Sequence, residues 1–134
     1  MSNVKIPGAG THHFAVSSAN FDKSIKFYTE GLGMTPVAFW GENEGRAALL
    51  DIGDGTFVEI FANGNPDEQK NEKIVHFAIK TTDPDLAFQN ALAAGATERM
   101  LPTTIDVPAD NPFSVRIAFV YGPDNEVLEF IRPL

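Results

Sequence analysis

The chain repeats itself once, and that fact more than any other limits the folds open to it. His13-Phe14-Ala15-Val16 returns as His76-Phe77-Ala78-Ile79, an offset of 63 residues. Seven residues after each histidine stands a side chain suited to opening a helix, Asn20 in the first copy and Asp83 in the second. From Phe21 to Glu30, the residues Phe21, Ile25 and Tyr28 share one helical face, which Asp22, Lys23, Lys26 and Glu30 mostly avoid; Gly31 and Gly33 end the run. In the second copy Pro84 takes the first helical position, Phe88, Ala91 and Leu92 form the apolar face, and Gly95 is the stop.

Each copy then reads as a hairpin. Ala47 to Ile52 and Thr56 to Phe61 flank Gly53-Asp54-Gly55, and Ile117 to Tyr121 and Glu126 to Ile131 flank Gly122-Pro123-Asp124-Asn125. The offset between the turn aspartates has grown to 70, and the extra residues are expected in a loop from Thr103 to Pro112. Val37 to Trp40 and Arg99 to Leu101 are the candidates for each copy's remaining strand. The order is β-α-β-β-β twice, an α+β fold of two βαβββ modules, about 11–64 and about 74–133, with 63–73 as polar connector. Residues 1–134 are expected to form a single domain, because a four-stranded sheet with a helix on one face cannot bury its other face alone.

Composition excludes several chemistries. No cysteine is present, so any metal must be held by histidine, carboxylate, carbonyl or water. The net charge of -8 argues against nucleic acid, and it requires a local cationic patch for any anionic substrate. No apolar run approaches the ~20 residues of a membrane helix. The first ten residues lack the pattern of a secretory signal, so a cytoplasmic location is expected.

Four polar residues interrupt the apolar pattern. Glu59 sits in Phe57-Val58-Glu59-Ile60-Phe61 and Glu129 in Val127-Leu128-Glu129-Phe130-Ile131, each five residues after its turn aspartate. A carboxylate among apolar neighbours is costly unless a cation pairs with it. One histidine or one glutamate in a strand is ordinarily a hydrogen-bonded core residue or a solvated one. Both types at equivalent places of two copies instead suggest a divalent ion, whose charge two carboxylates balance beside two neutral nitrogens. The repeat registers His13, not His12, with His76, since position 75 is valine.

The set of His13, Asn20, Phe27-Tyr28, Leu32-Gly33-Met34, Val58-Glu59-Ile60, His76, Pro123-Asp124 and Leu128-Glu129-Phe130 resembles the vicinal oxygen chelate superfamily, and within it glyoxalase I. The resemblance runs from about Thr11 to Pro133. It implies a glyoxalase/bleomycin-resistance/dioxygenase-type fold with His13, Glu59, His76 and Glu129 as metal ligands. The metal is nickel or zinc, with cobalt or manganese as other occupants. The implied reaction is proton abstraction next to a carbonyl, with an enediolate stabilised by the metal, Glu129 as base and Glu59 as its counterpart. The implied partners are a small-molecule substrate, with a thiol adduct among its forms, and a second copy in a homodimer.

The departures concern the substrate. Glutathione-using relatives often carry an arginine four residues after the first histidine, where Ser17 stands here; Asn63, four after Glu59, matches an asparagine that contacts glutathione. Arg46 and Arg116 each lie 13 residues before their glutamate. With two-residue turns at Asp54-Gly55 and Asp124-Asn125, period-two counting puts both arginines on the glutamate faces, as substrate contacts at the rim. The alternatives to a glyoxalase I-like lyase are an acyl-CoA epimerase, a metal-dependent thiol transferase and a non-catalytic antibiotic-binding protein.

Overall fold

Strand and helix boundaries follow the repeat in the computed structural model, which describes residues 2–31, 33–65, 74–122 and 127–134. The connector beyond residue 65, the turn expected around Pro123-Asp124-Asn125 and Leu32 lie outside the described residues. The chain divides into two compact units. One comprises His13–Val75 with Pro108–Pro112, and the other Met1–His12, His76–Val107 and Phe113–Leu134.

In the first-repeat unit Asn20 caps helix α1 (Phe21–Lys26), its side-chain oxygen accepting from the Lys23 N–H at 3.1 Å. The helix expected to reach Glu30 widens at Phe27–Gly31 into a π-helical turn. There the Thr29 hydroxyl donates to the Ile25 carbonyl at 2.7 Å and competes for the helical acceptor. Strands β1 (Gly10–Ser17), β2 (Thr35–Trp40), β3 (Ala47–Asp51) and β4 (Phe57–Phe61) lie in the order β2-β3-β4-β1, with β1 parallel to β4 and the other pairs antiparallel. Phe21 packs with Ala48, Leu50, Val58 and Ile60 to make the helix-side core.

The second-repeat unit has the same plan. Strands β5 (Ile74–Lys80), β6 (Thr97–Val107), β7 (Phe113–Tyr121) and β8 (Val127–Pro133) follow the order β5-β8-β7-β6, which is β1-β4-β3-β2 again. Helix α2 (Pro84–Ala93) starts on Asp83, which accepts from the Leu86 N–H at 3.0 Å. It ends in a Schellman turn: Ala96 N–H bonds Ala91 O, Gly95 N–H bonds Leu92 O, and Gly95 takes a φ of 108°. Ala87, Phe88, Ala118, Val120 and Phe130 form its helix-side core; Ala78, Val115, Ile117 and Ile131 cluster on the other face.

Two expectations need correction. Thr103–Pro112 is not a loop throughout, because β6 continues to Val107 and pairs with β7 from Thr103↔Ile117 to Val107↔Phe113. Thr103, Thr104, Ile105 and Val107 are β-branched and suit a strand. Pro102, the apparent breaker, falls at a register shift of an edge strand, a place where a residue without an N–H is tolerated. Only Pro108–Pro112 separates the strands, and it belongs to the first-repeat unit. There the Phe39 N–H donates to Asp110 Oδ1 at 2.8 Å, and the Asp110 N–H donates back to Phe39 O at 2.9 Å.

The second correction is to the β3–β4 turn, which has three residues rather than two. Asp51 pairs with Phe57 and the Ile52 N–H bonds Thr56 O, leaving Gly53-Asp54-Gly55 as the loop. Gly53 (φ 138°) and Gly55 (φ 82°) supply the left-handed backbone, and the Asp51 carboxylate accepts from both of their N–H groups at 2.7 and 3.2 Å. Among the described residues no helix is long and apolar enough to cross a membrane.

The Asp83 cap supports a simple test. Asp83→Ala is expected to cost about 1 kcal/mol, read as a lower urea midpoint at unchanged slope, whereas Asp83→Asn should stay close to the parent.

Candidate functional site

Parallel pairing decides which polar side chains meet. In the first-repeat unit Ala15 of β1 stands opposite Glu59 of β4. His13, two residues before Ala15, therefore shares the Glu59 face. Its Nε2 lies 3.4 Å from Glu59 Oε1, with the His13 side chain 3% exposed and that of Glu59 14%. The second-repeat unit repeats the device. Ala78 of β5 stands opposite Glu129 of β8, and His76 Nε2 lies 3.1 Å from Glu129 Oε2, both side chains buried. Ala15 and Ala78 are themselves fully buried, and their small side chains leave the space beside each carboxylate to an imidazole.

Each pair offers one nitrogen and one oxygen donor. At metal–ligand distances of about 2.0–2.2 Å, adjacent ligands of one ion lie about 3.0 Å apart at a right angle and about 3.4 Å at the tetrahedral angle. The spacing of both pairs fits that range, as does their chemistry, an imidazole beside a carboxylate. His12 is also buried, so burial alone does not separate it from His13. Alternation along β1 turns it to the opposite face.

The three-residue turn moves Arg46 away from this face. Glu59 pairs with Leu49, not with Leu50 as a two-residue turn requires, and a slip of one residue exchanges the faces of the sheet. Arg46 instead lies over the Phe21 ring at 4.7 Å and pairs with Asp22 at 3.3 Å, on the helix side. The same slip occurs in the second repeat, where Glu129 pairs with Phe119 and Arg116 faces α2. Its Nε and Nη2 donate to the two Asp85 carboxylate oxygens at 2.6 and 2.7 Å. Arg46 and Arg116, expected on the glutamate faces, lie instead on the helix sides and form ion pairs there. Asn63 lies beside Ser17, whose hydroxyl donates to Asn63 Oδ1 at 3.0 Å. Gly64 makes the close approach possible, because a Cβ there would meet Ser18 C at 2.4 Å.

Sequence reasoning passed over two residues of the second-repeat face. Phe119, opposite Glu129, meets the His76 ring edge to face at 5.4 Å. The Arg99 guanidinium carbon sits 5.1 Å from the centre of the Phe119 ring and 5.9 Å from that of Tyr121. The signal available for Arg99 was its place at the start of a predicted strand, but no pattern marked it as unusual.

Residues 10–130 match the family described as the Glyoxalase/Bleomycin resistance protein/Dioxygenase superfamily. A probable lactoylglutathione lyase of Vibrio cholerae serotype O1 is 29% identical over 126 residues, covering 90% of this chain and 88% of that protein. The structure is similar to methylmalonyl-CoA epimerase from Mycobacterium tuberculosis, with a TM-score of 0.75, 21% identity and coverage of 100% of this chain and 93% of that one. It is also similar to a mutant 4-hydroxymandelate synthase from Streptomyces coelicolor, with a TM-score of 0.74, 19% identity and coverage of 96% and 40%. At these identities the structural likenesses establish the fold, and the α+β architecture expected from the repeat is the one they share.

The Arg116 contact carries a pH signature. Its hydrogen bonds to Asp85 hold that carboxyl below the usual carboxylate value; desolvation opposes them and the arginine charge adds to them. A folded value below the unfolded one contributes stability that is present above about pH 4 and is lost as pH falls through the lowered value. Asp85→Asn should therefore denature at a lower urea concentration than the parent at pH 7, with the gap closing in acid. Equal midpoints at pH 7 would mean that solvent screening cancels the pair.

Proposed function

This chain belongs to the Glyoxalase/Bleomycin resistance protein/Dioxygenase superfamily, and from that premise we propose that it is a metal-dependent lyase or isomerase of glyoxalase I type. In this reading His13, Glu59, His76 and Glu129 hold one divalent ion. The reaction is removal of a proton next to the carbonyl of a small 2-oxo or 2-hydroxy compound. The observation that carries the reading is the doubled pair: an imidazole and a carboxylate at ligand spacing, generated twice by the same strand pairing. His13, Glu59 and His76 are of the residue types that could hold such an ion. Glu129 faces His76 as Glu59 faces His13, and in this reading it is the fourth ligand. Nickel or zinc suits these ligands, and cobalt or manganese is admitted by the same types.

A bound divalent ion supplies Lewis-acid stabilisation of negative charge on a substrate oxygen. The residues of the chain supply the proton chemistry. Glu129 is the base: a carboxylate oxygen takes the proton from the carbon beside the carbonyl and returns it to the neighbouring carbon. Its burial keeps bulk water from the proton in transit. Glu59 is the counterpart carboxylate and His76 orients Glu129. The lyase-like relative supports this substrate class.

A second reading, epimerisation of an acyl-coenzyme A thioester, uses the same proton transfer. It is favoured by Ser17, which stands where the glutathione-binding arginine is expected, and by the methylmalonyl-CoA epimerase that shares this fold.

Chelator-stripped protein is expected to lose turnover of the methylglyoxal–glutathione hemithioacetal and to regain it with nickel or zinc. Glu129→Gln should lower kcat by roughly 10²–10⁴, with metal content measured in the same samples. Purified protein that takes up no divalent ion, with Glu59→Gln indistinguishable from it, would overturn the proposal. Metal uptake with turnover of an acyl-coenzyme A alone would establish the second reading.

A further inference from the structure

We infer that Arg99 is an anion anchor, selecting substrates that carry a carboxylate away from the reacting carbon. The inference deepens the metal-dependent reading above and rests on it for the identity of the reacting end. The argument begins with the backbone. Along β6, Glu98 pairs with Val120 and Met100 with Phe119, so Arg99 is an extra residue, a bulge in the ladder. A bulge re-aims a side chain that regular alternation would place elsewhere. Here it lays the guanidinium over Phe119 and Tyr121, on the face of the sheet that carries Glu129.

Two features make this a recognition group rather than a surface charge. Phe119 touches both the His76 ring and the guanidinium, so a single aromatic ring separates the cation from the His76–Glu129 pair. The two rings hold the cation by cation–π attraction, and a guanidinium so held can bind a planar anion through two parallel hydrogen bonds. Among the described residues no carboxylate forms an ion pair with Arg99, whereas Arg46 and Arg116 are committed to Asp22 and Asp85. In a chain of net charge -8, a cation on the site face is the local patch that an anionic substrate needs.

The other repeat supplies the contrast. The same bulge recurs in β2, where Pro36 pairs with Leu50, Ala38 with Leu49, and Val37 is the extra residue. Val37 and Arg99 thus occupy equivalent positions, and only the second carries charge. The ligand class is therefore a 2-oxo or 2-hydroxy compound with one carboxylate arm reaching the second-repeat unit.

The test compares 2-oxoglutarate with its 5-methyl ester, which lacks only the distal charge. Binding to the whole chain is followed by NMR chemical-shift titration, metal-free and zinc-loaded. The parent is expected to favour the diacid by roughly tenfold in both states. Arg99→Gln should remove that preference without weakening ester binding, and Arg99→Lys should restore part of it. A preference that survives in Arg99→Gln, or a parent that binds the two probes equally in both states, overturns the inference. Failure of the metal reading has a different signature: zinc would leave every affinity unchanged while the preference still followed Arg99.

Discussion

A carboxylate placed in an apolar strand must have its charge met locally, and this protein meets that need twice by one arrangement. In each repeat the first strand runs parallel to the last, an alanine faces the glutamate, and the histidine two residues earlier reaches the carboxylate. A larger residue at Ala15 or Ala78 would fill the space, and a change of register would turn the glutamate into the helix-side core. The hairpin, the parallel pairing and the helix that covers the opposite face all keep one pair of atoms within about an ångström of a required spacing. The proposed chemistry depends on that tolerance, because a metal ligand or a base displaced by an ångström loses most of its effect.

Much of this was legible in the residues. The recurrence of His-Phe-Ala with an aliphatic residue, the caps at Asn20 and Asp83 and the stop at Gly95 each have a local cause that does not depend on the rest of the chain. They predicted both helices, and the recurrence registered His13, not His12, with His76. Glu59 and Glu129 were conspicuous because their neighbours are apolar, and the structure places each against its own histidine.

What escaped the sequence reading was geometry set by one residue more or less. The turn Gly53-Asp54-Gly55 satisfies the rules for a two-residue turn as well as those for a three-residue one. The choice rests on Asp51, whose carboxylate gathers the N–H groups of both glycines. That choice carried Arg46 to the helix side. A bulge is equally silent, since neither Val37 nor Arg99 breaks the alternation of its neighbours. Pro102 misled in the opposite direction: a proline usually argues against a strand, yet an edge strand with an irregular register accommodates it.

The segment Pro108–Pro112 has a consequence for the history and the handling of the chain. It is encoded between β6 and β7 of the second repeat, yet Asp110 exchanges two hydrogen bonds with the backbone of Phe39 in the outermost strand of the first. An uncovered strand edge is a template for self-association. A fragment ending at the connector would display the backbone of Phe39 to other molecules. A chain cut between the repeats would separate Asp110 from Phe39, and its first half is expected to aggregate through that edge.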